Sequence, residues 1–137
     1  MSLKFAPYFG MFVECDFKGM IEPEMVKRRP VIVISTPELH GDGNRLATIV
    51  PLSTSAPDPV MPYHVFLNDI PVLPYFDSPT AWVKCDMIYT VSLDRLSLFC
   101  RGKDHDTGKR IYIYDCLSPA TMARIQQAVL YGIGIRK

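Results

Sequence analysis

No run of about 18 apolar residues, the length needed to cross a bilayer as a helix, occurs in the chain. Residues Met1 to Tyr8 also lack the apolar stretch after a basic start that marks a secretory signal, so a cytoplasmic location is expected. Cys15, Cys85, Cys100 and Cys116 form no Cys-x-x-Cys pair, which argues against a zinc ribbon or a thioredoxin-like motif. Four buried, reduced thiols are the expectation instead. His40, His64 and His105 stand apart from one another and from Cys or Asp at ligand spacing, so neither a metal site nor a cofactor is expected. Acyl transfer and nucleotide hydrolysis find no motif, since there is no Gly-x-Ser-x-Gly and no Gly-rich phosphate loop. Excess charge is missing too. Lys and Arg number 15 against 14 Asp and Glu, net +1, so any site for a polyanion must be local.

What remains is a foldable chain. Its 137 residues suit one domain spanning 1–137, and at 48% apolar and 21% charged it is far from the composition of disorder. Short β-rich runs dominate. Gly10 to Phe17 alternates, with Met11, Val13, Cys15 and Phe17 on one face and Phe12, Glu14 and Asp16 on the other, as in a half-buried strand. Val31 to Ser35 is a Val/Ile run fit for a strand buried on both faces. Further strands are expected at Arg45 to Leu52, His64 to Leu67, Thr80 to Thr90 and Lys109 to Tyr114. The segments Gly19 to Pro30, Pro37 to Asn44, Ser53 to Pro62, Asn68 to Pro79 and Arg101 to Gly108 are rich in Pro, Gly, Asp and Asn, and read as loops. Ser118-Pro119 is a helix start, and Met122, Ile125, Val129 and Gly132 follow at helical spacing, so a helix stopping near Gly132 and Gly134 is expected. The sum is a mainly β chain, a small and strongly bent antiparallel barrel with one closing helix.

Chemistry gathers in a few places. Glu22-Pro-Glu24-Met-Val-Lys27-Arg28-Arg29-Pro30 sets two carboxylates and three cations at the mouth of the most buried strand. Pro30 biases Arg29 toward an extended backbone, and a fixed guanidinium can offer its planar fork to a phosphate. Read alone, the cluster fits a solvated gatekeeper arrangement slightly better. In Thr80 to Thr90, alternation puts Trp82, Lys84 and Asp86 on one face, where Trp82 can stack on a base or fill an interface. Ser53-Thr54-Ser55 leaves a strand end, where hydroxyls hold a phosphate oxygen or, more often, their own turn. His64 opens a strand beside Tyr63 and is a candidate general acid.

The order of these segments resembles the PemK/MazF toxin family from about Tyr8 to Gly132. The resemblance rests on the Gly10-initiated first strand ending Cys15-Asp16-Phe17, on Arg29-Pro30-Val-Ile-Val-Ile-Ser35, and on Ile49-Val-Pro51-Leu-Ser53-Thr54. His64-Val-Phe-Leu67, Val83-Lys84-Cys85-Asp86, Thr90-Val91 and Arg95-Leu96 complete it. The Pro-containing insert before Lys27 and the Val-Pro-Leu-Ser-Thr form are similar to the YifN-like branch. The resemblance implies an SH3-like barrel of the CcdB/PemK type with a C-terminal helix, acting as a homodimer that cleaves single-stranded RNA without metal. It also implies silencing by a cognate antitoxin.

Carried over residue by residue, the resemblance gives Arg29 as the catalytic arginine and Glu24 as the acidic residue before it. Ser53 takes the place of a functional threonine, Asp86 that of a catalytic acid, and Lys84 stands where the Kid-like branch has arginine. Lys27, Arg28, Thr54, His64, Trp82 and Lys84 are the candidate RNA contacts. The expected reaction is attack of a 2′-hydroxyl on its phosphate, leaving a 2′,3′-cyclic phosphate, with either Glu24 or Asp86 as base and Arg29 neutralising charge. Three departures count against it: Ile21-Glu-Pro-Glu24 replaces a Gly-x-Glu element, serine replaces threonine at 53, and Lys84 lacks the arginine fork. They fit a rival, a non-catalytic member of the fold that binds a protein as CcdB does, or RNA without cutting it.

Overall fold

The computed structural model describes residues 2–41, 43–68, 70 and 80–136; most of the expected loop from Asn68 to Pro79 lies outside them. The strands are β1 (Phe12–Asp16), β2 (Arg28–Val33), β3 (Leu46–Ser53), β4 (His64–Leu67), β5 (Ala81–Lys84), β6 (Tyr89–Ser92), β7 (Leu96–Ser97), β8 (Cys100–Lys103) and β9 (Arg110–Tyr112). The helix α1 spans Pro119–Gly132. All strand pairs are antiparallel, in the order β4-β5-β3-β2-β1-β7 with β6 also on β3, while β8 and β9 form a separate ribbon. This is the mainly β, SH3-like barrel architecture with a C-terminal helix that the sequence leads one to expect.

The long strand β3 is the pivot. One edge pairs with β2 through Ile49–Pro51; the other pairs with β6 through Leu46–Ile49 and with β5 through Leu52 and Ser53. Alternation then sorts apolar side chains onto two faces. Val13, Cys15, Val31, Val33, Ala47 and Ile49 pack with Phe17, Leu93 and Leu96 on one side. Phe12, Ile32, Val50, Leu52, Val65 and Val83 pack on the other, beneath Met122, Ile125 and Ala128 of α1. Full burial of each such aliphatic side chain contributes about 1.5–3 kcal/mol.

The helix begins as its sequence directs. The Ser118 Oγ accepts the Thr121 N–H at 3.2 Å and Pro119 occupies the first turn, where a missing N–H costs nothing. It ends where Gly134 takes φ 93° and the Ile135 N–H donates to Leu130 O at 2.8 Å.

Several expectations need correction. β1 is buried on both faces, because Phe12 enters the helix-side core while Met11, Val13, Cys15 and Phe17 fill the other. β2 begins at Arg28, inside the expected loop. Pro30 is tolerated there because it is paired to β1 alone, β3 joining only from Val31. The run Thr80 to Thr90 is two strands. Four residues of β3, from Leu52 to Ile49, span what takes seven from Val83 to Tyr89, so Cys85–Ile88 loops out of the ladder. β8 lies in the expected loop Arg101 to Gly108; its exposed, charged residues show no alternation, and Gly102 at φ 136° sits at a bulge. Of the cysteines, Cys15 and Cys85 are buried, but Cys100 is half-buried and Cys116 exposed; all four are free thiols.

Candidate active site

The register of the sheet gathers the site. Arg29 faces Cys15 of β1, and it lies two residues before Val31, which faces Pro51. Continuing that antiparallel register brings Arg29 level with Ser53 at the end of β3. Ser53 faces Trp82 of β5, and Trp82 faces Phe66 of β4, with the two rings 5.1 Å apart. In the next row Lys84 faces His64. Arg29, Ser53, Trp82, Lys84 and His64 thus belong to one run of neighbouring strands, on the side of the sheet opposite α1.

Arg29 is half-buried, and its Nε is fully buried without a hydrogen-bond partner. An unmet buried donor costs about 1–3 kcal/mol, more when charged, so this guanidinium favours an incoming acceptor. The Ser53 Oγ accepts the Ser55 N–H at 3.2 Å, which leaves its own O–H as a donor. Thr54 is exposed just beyond.

His64 has a defined tautomer. Its Nδ1 accepts the Met61 N–H at 2.9 Å, so the ring proton sits on Nε2. Burial pushes the imidazole below its ordinary pKa; the Asp86 carboxylate opposes this and the Lys84 ammonium adds to it. Asp86 is exposed on the Cys85–Ile88 turn, close enough to His64 to act on it electrostatically. That turn rests on the end of α1: a Cβ on Gly132 would lie 2.6 Å from the Cys85 carbonyl oxygen and 3.0 Å from Asp86 Cα.

Other candidates lie elsewhere. The Glu24 carboxylate accepts the Ile21 N–H at 2.9 Å, closing its own turn, and no ion pair joins it to Arg29 among the described residues. Its loop is anchored at the next residue, where buried Met25 donates its N–H to the Tyr89 hydroxyl at 3.1 Å. Lys27 is exposed. Alternation sends Arg28 to the face opposite Arg29, where it bridges Glu14 at 3.2 Å and Asp16 at 3.3 Å. No cluster of three or more His, Cys, Asp or Glu positioned to hold a metal occurs among the described residues.

Three contributors escaped the reading of the sequence. Phe66, 42% exposed beside Trp82, was signalled by alternation in His64-Val-Phe-Leu67, which puts it on the His64 face. Tyr89 and Gly132 act through tertiary contacts that no local pattern marks.

Fold and site together define the class: a small antiparallel β barrel with a C-terminal helix that carries cationic and aromatic side chains on one strand face. A model of the PemK-like, MazF-like toxin of type II toxin-antitoxin systems matches residues 8–131, and the chain belongs to that family. YifN, an uncharacterised protein of Escherichia coli K12, is 30% identical, the alignment covering 97% of this chain and 95% of YifN. An uncharacterised protein of Haemophilus influenzae is 31% identical over 97% of this chain and 94% of its own. In fold, the chain is similar to an endoribonuclease solved in complex with its cognate antitoxin from a mycobacterial species, with TM-score 0.63 and 21% identity over 96% of this chain and 99% of that one. It is likewise similar to MazF of Deinococcus radiodurans, with TM-score 0.61 and 17% identity over 96% and 99%.

Proposed function

We propose that this chain is a metal-independent endoribonuclease that cleaves single-stranded RNA in the cytoplasm as a homodimer and is silenced by a cognate antitoxin. The observation that carries the reading is Arg29, with its buried, unpartnered Nε, level by register with Ser53 of β3, the strand whose other edge pairs with β5 and so leads to Trp82, Lys84 and, on β4, His64. Family membership and the fold shared with solved endoribonucleases support it.

In this reading Arg29 and Lys84 face the charge that develops on the phosphate as the 2′-oxygen attacks, and the Ser53 O–H and the His64 Nε2–H hold its oxygens. Asp86 takes the 2′-hydroxyl proton. It is better supported than Glu24, whose carboxylate is engaged by its own turn. The 5′-oxygen leaves with a proton from the Lys84 ammonium, while Arg29 keeps its charge against the phosphate. Trp82 and Phe66 stack on the flanking bases, each stack being worth about 1–3 kcal/mol. Lys27 and Thr54 meet the phosphates on either side. Arg28 contributes by fixing the start of β2 through its two carboxylates rather than by touching RNA.

The test is incubation with a structured RNA in EDTA, with mapping of cut sites and end groups. Cleavage in single-stranded segments, leaving 2′,3′-cyclic phosphate and 5′-hydroxyl ends, is expected, with none at a site whose ribose is deoxyribose. Metal-dependent or ragged products refute the reading. A non-catalytic binder of RNA or protein is the second reading, favoured by Glu24 being tied to Ile21; it predicts retention of intact RNA or of a protein partner.

A further inference from the structure

On the face of β1 and β2 that Arg28 occupies, away from Arg29, lies a cavity of about 430 Å³. This is within the usual range for small-molecule sites, about 300–1,000 Å³. Its rear is β1, β2 and the segment after β7; its sides are the β8–β9 ribbon and residues 2–5. The latter are held in place, since the Leu3 N–H donates to Leu96 O at 2.9 Å and Leu3 is buried.

Three properties of this cavity are independent of one another. First, Glu14 lines it and is only 9% exposed; its Oε1 meets Arg28, but its Oε2 is fully buried with no hydrogen-bond partner. A buried anionic oxygen of this kind calls for an N–H or O–H donor. Second, the walls include Phe5, Tyr112 and Tyr114, with the Phe5 and Tyr114 rings stacked 6.4 Å apart. Such surfaces accept a flat ring. Third, of the three cations that line it, Arg28 is taken up by Glu14 and Asp16, while Lys4 and Arg110 make no ion pair among the described residues, which leaves positive charge to be met in a chain whose net charge is only +1.

From these we infer that the cavity is a second, mononucleotide-sized binding site: a base packs on the aromatic wall and donates an N–H to Glu14 Oε2, and its phosphate meets Lys4 and Arg110. An aromatic amino acid offers the same three groups, but its zero net charge leaves the cationic excess unmatched, whereas a phosphate monoester carries about −1.5 to −2 at neutral pH. The site is independent of the proposed cleavage, because Arg29 lies on the other face of β2.

Isothermal titration of the full chain with AMP, GMP, CMP and UMP tests this, with inorganic phosphate, ribose 5-phosphate and tyrosine as comparisons. At least one nucleotide is expected to bind tenfold or more tightly than the comparisons. The double substitution Lys4→Ala and Arg110→Ala, both exposed, should weaken it at least tenfold and flatten its salt dependence. Loss of a charge-assisted bond predicts about a tenfold or greater weakening for Glu14→Gln. Arg29→Ala should leave the affinity unchanged. Displacement of the nucleotide by a single-stranded oligonucleotide assigns the source as RNA; failure to displace it assigns a free nucleotide, and either keeps the site. No binding at millimolar nucleotide, affinity equal to that of phosphate, tighter binding of tyrosine, or loss with Arg29→Ala in place of the Lys4/Arg110 pair overturns the inference.

Discussion

Replacing Gly132 with alanine sets two magnitudes of opposite sign against each other. Gly132 is the last residue of α1 and has no positive φ, so helix propensity alone predicts that alanine stabilises by up to about 1 kcal/mol. The added Cβ, however, lies 2.6 Å from the Cys85 carbonyl oxygen and 3.0 Å from Asp86 Cα. Both are backbone atoms, which cannot swing aside as a flexible side chain does. Forcing an extra methyl into packed structure typically costs about 1–3 kcal/mol, and with unyielding backbone on both sides the upper part of that range, about 2–3 kcal/mol, applies; the clash therefore outweighs the propensity and the net loss is about 1–2 kcal/mol. For a chain of this size that is a fall in Tm of roughly 3–8 °C by calorimetry. The atoms that yield belong to the turn carrying Asp86, so RNA cleavage should fall further than the lost stability accounts for at a temperature where the variant is fully folded. A Tm that rises, together with unchanged cleavage, would refute the packing of α1 against that turn.

Further outcomes follow from the same contacts. Burial pushes the Cys15 and Cys85 thiols up to about 12, so a thiol reagent at pH 8 should label Cys100 and Cys116 in the native chain and reach the other two only after denaturation; rapid native labelling at Cys15 would contradict the fold. The folded-state pKa of His64 lies below its ordinary 6.5, so folding favours the neutral ring. Its contribution is present above pH 6.5 and lost as pH falls through the folded value, and the wild type should lose stability more steeply than His64→Gln between pH 7 and pH 5. Parallel slopes in denaturant titrations would sink that reading. Ser118→Ala should lower stability by about 1 kcal/mol through loss of the N-cap, with Ser118→Gly much milder; an unchanged unfolding midpoint for the alanine variant would remove the cap from consideration.

Much of the fold is legible in the sequence where packing and pattern agree. The continuous Val/Ile run of β2, the strand at β3, the alternation of β4 and the Ser118-Pro119 start of α1 each state a local preference that tertiary structure keeps. The break between β5 and β6 is not legible, because Met87, Ile88 and Tyr89 continue an apolar, strand-like run. The looped-out turn lies against a distant part of the chain, its Cys85–Asp86 backbone close to Gly132, and no local pattern records that contact. The β8 strand is hidden for the opposite reason: it is exposed and charged, so no burial pattern records it.

In the site, alternation correctly places Trp82 and Lys84 together, yet reading Arg28 and Arg29 as a loop hides that they lie in a strand and point to opposite faces. Glu24 sits near Arg29 in sequence, while the turn it closes with Ile21 sets where its carboxylate is held. The companions of Arg29 are set by register across β2, β3, β5 and β4, which no linear spacing shows.

The most direct measurement is the rate of cleavage of a single-stranded RNA by the wild type and by Arg29→Ala, in EDTA, with both proteins verified as folded by circular dichroism and Tm. Arg29 is partly exposed at the start of the barrel, so the variant should fold. Loss of a group that faces charge in the transition state costs about two to three orders of magnitude, and the variant should fall at least that far while keeping its Tm within a few degrees. A folded Arg29→Ala protein that cuts at the wild-type rate, or a wild type that cuts nothing, would contradict the assignment.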